Sequence, residues 1–243
     1  MLADTFAASS CAFMRETVES RPAIAADLGC GPGFSTQLLA DTISPELTVG
    51  LDNSESFIQL AQKAASKEIS FHLHDITMEP FPSGPFDLIF SRFELTHLTQ
   101  PEAVVMLWGR QLRDRGLMLL EEVECIDTNS PVLRSYLELQ QAMLLERGHS
   151  LYVGPELDLI ADTDLLVRRS STVRTVPVTA SRAAEMYHMN LGVWRHDEFI
   201  MGTCEQAELD HLDRSLLAMS IDHDSKALVK WGLRQIVVEC IGP

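Results

Sequence analysis

Short apolar runs alternate with segments of helical period through the first half of the chain, and this limits the fold more than any other feature. AIAADL (23–28) is apolar and ends at a glycine cluster, which predicts a buried strand. FSTQLLADTI (34–43) has helical spacing, with Pro45 just beyond it. LTVGLD (47–52) predicts a second strand, 54–67 a helix with Ser54 as N-cap, and 69–76 a third strand. Pro82, Ser83, Gly84 and Pro85 precede a fourth strand over 86–93. Pro101 opens a helix over 101–114, Arg115 and Gly116 close it, and 116–123 predicts a fifth strand. Strands linked through helices by short connections imply a mainly parallel sheet covered on both faces.

The remainder is less regular. Residues 131–147 and 155–167 have helical spacing, 170–179 alternate like a strand, 181–230 are mostly helical, and 234–241 predict a terminal strand. An amphipathic segment at 3–19, carrying Phe6, Phe13 and Met14, predicts a leading helix. One α/β domain over 1–243 is therefore expected: a leading helix (1–20), a core (21–124), and a helical cap over 125–235. That cap would include a late sheet strand near 170–179, and a terminal strand at 234–241 would complete seven.

Composition narrows the partners. The 243 residues are 46% apolar and 22% charged, which excludes a disordered chain. Nineteen Lys and Arg against 35 Asp and Glu give a net charge of −16, so nucleic acid and anionic membranes are not expected partners. No apolar run approaches the ~18 residues of a membrane span. The first twenty residues lack the basic-then-apolar pattern of a signal peptide. Cys11, Cys30, Cys125, Cys204 and Cys240 form no CxxC and read as reduced, mostly buried thiols of a cytoplasmic protein.

The strongest chemical signal is Asp27-Leu28-Gly29-Cys30-Gly31-Pro32-Gly33, at the turn from the first strand into the first helix. Glycines at alternate positions permit a tight turn and leave bare main chain for a ligand, with N–H groups of the helix start facing it. A dinucleotide site would need a small residue where Phe34 stands, and Asp27 would meet a pyrophosphate with like charge. A cationic ligand suits that acid. Asp52 ends the second strand, where a carboxylate can accept from both hydroxyls of a ribose. Asp75 and Ile76 end the third.

The DLGCGPG stretch resembles motif I of the class I S-adenosylmethionine-dependent methyltransferases, and matching features run from about residue 20 to residue 123. The resemblance implies their Rossmann-like fold and S-adenosylmethionine as cofactor, with S-adenosylhomocysteine as product. It implies that Asp27, Gly29, Cys30, Gly31 and Gly33 embrace the methionine part. Asp52 would take the ribose, Asn53 would lie beside the adenine, Asp75 and Ile76 would clamp it, and Ser91 would border the cofactor.

The segment SRFELTHL (91–98) lacks the N/D-P-P-Y of DNA and protein-amide methyltransferases and the Pro-Cys of cytosine-C5 enzymes. Ser91 and Glu121-Glu122 do not supply the acids of metal-dependent catechol-type enzymes, so no metal ligand is expected. Glu94 and His97, three residues apart, are candidate general bases. His149, Tyr152, His188 and Trp194, from aromatic and His-rich stretches, are candidates for an acceptor pocket, although helix packing accounts for such residues equally well. The expectation is metal-independent methyl transfer to oxygen or nitrogen of a small metabolite, of the kind used in secondary metabolism. The alternative is a methyltransferase-like cofactor-binding protein with a non-transfer or partner-binding role. A homodimer is left open.

Overall fold

A computed structural model describes residues 2–223 and 225–242. Seven strands form one sheet in the order β3-β2-β1-β4-β5-β7-β6. They are β1 (Ile24–Leu28), β2 (Leu47–Asp52), β3 (Ile69–Leu73), β4 (Phe86–Arg92), β5 (Leu112–Thr128), β6 (Leu166–Pro177) and β7 (Val229–Cys240). The first five run parallel, while β7 pairs antiparallel with both β5 and β6. Burial on both faces explains why β1 and β2 are nearly continuous apolar runs.

Helices α1 (Leu2–Thr17), α2 (Phe34–Ile43), α3 (Glu55–Ala61) and α4 (Pro101–Gly109) belong to the first half. Ser54 caps α3 by accepting the Phe57 N–H, as its sequence position predicted. Helices α5 (Pro131–Glu146) and α6 (Gly154–Leu157) follow β5, and α7 (Ala180–Trp194), α8 (Glu198–Thr203) and α9 (Gln206–Ser220) follow β6. The helical material of the second half is thus two segments separated by a sheet strand. A core cluster joins it to α1 through Phe6, Tyr136, Tyr187 and Trp231. No helix among the described residues is long and apolar enough to cross a membrane.

Several boundaries depart from the sequence expectation: β5 runs from Leu112 to Thr128 rather than over 116–123, and β7 begins at Val229 rather than 234. The helix expected over 155–167 is only α6, because side chains intercept the backbone beyond it. Thr163 Oγ1 accepts the N–H groups of Leu165 and Leu166, and Asp162 accepts that of Arg168. Strand β6 therefore starts at Leu166 rather than 170. The helix expected over 101–114 stops at Gly109, and Leu112 already pairs with Phe86 in the sheet. The cysteines are free, but only Cys30 and Cys240 are buried, while Cys125 is exposed.

Candidate functional site

The strand order reverses between β1 and β4, since β1 continues to β2 on one side and β4 to β5 on the other. Open parallel sheets bind ligands at the carboxyl ends of the strands flanking such a point. Here those ends carry the glycine loop 29–33 and the segment 92–97. Gly29, Gly31 and Gly33 all have positive φ, at 70°, 51° and 89°, a region that side chains other than glycine's rarely adopt. A surface groove of about 820 Å³ lies at the opposite strand ends among residues 16–23, Asp87 and 114–117, away from every predicted site residue.

Three carboxyl groups surround the loop. Asp27 is fully buried and accepts from the Ser35 and Thr36 hydroxyls at 2.7 and 2.6 Å; burial pushes its pKa up to about 6. Asp52 braces the loop, taking the Gly31 N–H on Oδ2 and the Ser54 N–H on Oδ1, each at 2.8 Å. Glu94 comes from across the switch point. A β-carbon on Gly29 would meet the Glu94 side chain, standing 2.7 Å from its Cγ and closer to its carboxylate. Burial first, and then the charges of Asp52 and Asp27, push the Glu94 pKa up to about 7.

The other predicted cofactor residues have mixed placements. Cys30 is buried beside the loop and its thiol is pushed well above its usual range by burial. Asn53 is exposed at the end of β2. Asp75 is exposed, with Oδ1 accepting the Thr77 N–H and hydroxyl, which holds its pKa below the usual value. Ile76 is buried, and its carbonyl accepts the Trp108 indole N–H. Ser91 is wholly buried and donates to the Leu28 carbonyl at 3.2 Å, so its hydroxyl ties β4 to β1 instead of facing a ligand.

Glu94 stands at the N-cap of a 3-10 turn (Leu95–His97), and His97 is its last residue. His97 is reached by solvent yet closely surrounded by protein, and partial desolvation with the nearby His149 lowers its pKa. Thr96 donates to the Ser150 carbonyl, which fastens this turn to the segment holding His149 and Tyr152. His188 is not part of this grouping. Its Nδ1 stands 2.9 Å from Asp213 Oδ1, in a cluster with Arg195 that joins α7 to α9.

Trp194 closes a chain of aromatic rings that starts beside the site. Phe93, next to Glu94, packs on Phe6 and Trp231 with centroids 5.2 and 6.1 Å away. Trp231 leads to Tyr187, which stacks on Tyr136 at 4.2 Å, and Tyr136 meets Trp194 at 5.6 Å. The Tyr187 hydroxyl and the Trp231 indole N–H are buried with no hydrogen-bond partner among the described residues.

Known proteins resemble this chain in sequence and in fold. Residues 25–116 match the family model described as a methyltransferase domain. Residues 25–116 thus carry a methyltransferase domain. It is 35% identical over 98 residues to trans-aconitate 2-methyltransferase of Delftia acidovorans, covering 39% of this chain and 36% of that protein. Identity is 28% to an uncharacterized 37.1 kDa protein in transposon TN4556 of Streptomyces fradiae, over 87% of this chain and 64% of that one. The chain thus spans less than two thirds of the length of these curated relatives. The crystal structure of a putative methyltransferase from Bacillus halodurans shares the fold, with a TM-score of 0.61 at 13% identity over 97% of this chain and all of that one.

Beyond the glycine loop, the chain has buried charged groups whose partners the sequence did not display. Glu121 is fully buried and accepts from Ser9, Ser10 and the Gln235 amide, and Arg92 donates to Ser10 Oγ at 2.9 Å. Glu122, also fully buried, accepts the N–H groups of Glu94 and Leu95 on Oε1. Charged residues inside a predicted strand were the one available signal, since burial of such a group demands partners.

Proposed function

We propose that this chain binds S-adenosylmethionine and transfers the methyl group to oxygen or nitrogen of a small organic acceptor without a metal ion. One observation carries the proposal: the bare, left-handed backbone at Gly29 is faced by Asp27, Asp52 and Glu94, three carboxyl groups against the one guanidinium, Arg92, that acts on Asp27. An ammonium and a sulfonium suit that surround, and a pyrophosphate does not.

Gly29, Cys30, Gly31 and Gly33 would hold the methionine part against main chain, and Asp52 has lone pairs free for ribose hydroxyls. Asn53, Asp75 and Ile76 would border the adenine. Glu94 lies on the cofactor side and is assigned to the ammonium rather than to proton removal. The bound cofactor supplies an electrophilic methyl on sulfur, already primed for in-line displacement, so alignment supplies much of the acceleration. His97, at the exposed end of the turn, can take the acceptor's proton on a ring nitrogen, and its lowered pKa favours the unprotonated form that this needs.

The acceptor would lie between the 92–97 segment and the cap, bounded by His149, Tyr152 and the aromatic chain from Phe93 to Trp194. Unpartnered donors at Tyr187 and Trp231 suit an acceptor bearing oxygen lone pairs. Adjacent strand residues point to opposite faces, and Glu121 is engaged with α1, so Glu121 and Glu122 do not chelate together. Free thiols accord with a cytoplasmic setting.

The test is incubation with S-adenosylmethionine and a fractionated metabolite extract, read by mass spectrometry, with and without EDTA. A product heavier by one methyl in both arms supports the proposal. Cofactor binding without any methylated product would favour the non-transfer role, and a product lost on chelation would overturn metal independence.

A further inference from the structure

We propose that Glu122 is the positioning residue of this site, a buried carboxyl that holds the turn after β4 so that Glu94 lies on Gly29. The proposal rests on the cofactor reading above for its consequence, but its geometry stands without a ligand.

Strand β4 ends at Arg92 and the 3-10 turn starts at Leu95, so the N–H groups of Glu94 and Leu95 fall between the sheet ladder and the turn. Donors at such a junction need a partner from elsewhere. Both are taken by Glu122 Oε1, at 2.8 and 2.9 Å. The neighbouring Glu121 cannot substitute, since it faces the other side of the sheet and is committed to Ser9, Ser10 and Gln235. Glu122 is fully buried, and its Oε2 has no hydrogen-bond partner among the described residues. An acceptor that serves two backbone donors at the cost of a buried, unsatisfied oxygen is expensive to keep in a mere packing position.

The charged groups acting on Glu122 are Glu94 from the turn, Glu121 from its own strand and Arg92 from the end of β4. Burial is the largest influence on it. The two N–H bonds oppose that, the neighbouring carboxylates add to it, and the pKa is pushed up to about 8. At pH 7 the raised pKa favours the neutral carboxyl, which still accepts both N–H groups on Oε1. Above about pH 8, two ionised carboxylates, Glu94 and Glu122, would face each other in a desolvated space, and the turn would be driven apart.

The test compares wild type with Glu122→Gln and Glu122→Ala by amide hydrogen exchange in the free protein and by calorimetry with S-adenosylhomocysteine. Gln retains a neutral acceptor oxygen, whereas Ala removes it. In wild type and Glu122→Gln the Glu94 and Leu95 amides are protected at pH 7; in Glu122→Ala they exchange at least about tenfold faster while the sheet amides are unchanged. Affinity falls by roughly tenfold in Glu122→Ala and by less than about twofold in Glu122→Gln at pH 7. Wild-type affinity also declines above about pH 8, and that of Glu122→Gln does not. Unchanged protection or affinity in Glu122→Ala would overturn the proposal, as would the same alkaline decline in Glu122→Gln. If Glu122→Ala does not fold, Glu122→Gln still decides through its pH profile and exchange. Absence of any heat with wild type would count against the cofactor reading, and exchange would still decide the positioning role.

Discussion

Glu94 and Gly29 touch across the point where the sheet reverses its strand order, a side chain from the end of β4 lying on bare backbone at the end of β1. The contact needs a glycine twice over, for space and for a φ of 70°. Gly29→Ala should therefore weaken S-adenosylhomocysteine binding by roughly tenfold to a hundredfold, about 1.4–2.8 kcal/mol. Calorimetry checks this, with circular dichroism confirming the fold. Unaltered affinity would separate the contact from the binding site.

Asp52 should carry ribose recognition as well as loop geometry. Asp52→Ala removes the acceptor of the Gly31 and Ser54 N–H groups and leaves ligand hydroxyls without a charged partner. A loss on the order of 1.5–3 kcal/mol is expected, roughly tenfold to a hundredfold in affinity. An unchanged dissociation constant in a folded variant would remove Asp52 from the site.

Stability should fall as pH rises through neutrality. Burial raises the pKa of Asp27 from 3.8 to about 6, of Glu94 from 4.5 to about 7 and of Glu122 from 4.5 to about 8. Between about pH 5 and 8 the folded protein keeps protons that the unfolded chain has released, so the unfolding free energy declines across this window and levels off above it. Urea unfolding at several pH values measures this, and Glu122→Gln should remove the part of the decline nearest pH 8. Stability rising over the window would contradict the burial of these acids.

Tyr187→Phe should separate acceptor recognition from the fold. Its hydroxyl is buried and unpartnered, a situation that costs about 1–3 kcal/mol, so its removal should leave the protein as stable or more so. If the hydroxyl serves the acceptor, KM for the acceptor rises while S-adenosylhomocysteine affinity stays constant. Thermal unfolding and steady-state kinetics together decide; an unaltered KM would place Tyr187 in the core alone.

The first half of the fold was legible because each element there carries its own local signal. The Gly cluster ends β1, Ser54 caps α3, and Pro101 opens α4. The candidate site was read from those same turns. Two things were not legible because they depend on distant partners. Leu112 joins the sheet through Phe86, against the helical period of its own segment. His188 was drawn toward the site by its aromatic surroundings in sequence, yet Asp213 on another helix fixes it elsewhere. Glu122 was visible only as a failed metal motif, since its partners are backbone groups that no sequence pattern displays.

The most direct measurement for the central claim is titration calorimetry of the whole chain with S-adenosylhomocysteine, NAD and NADP in parallel. Asp27, Asp52 and Glu94 around bare glycine backbone predict saturable heat with S-adenosylhomocysteine alone. No binding of S-adenosylhomocysteine, or comparable binding of either nicotinamide nucleotide, would contradict the account.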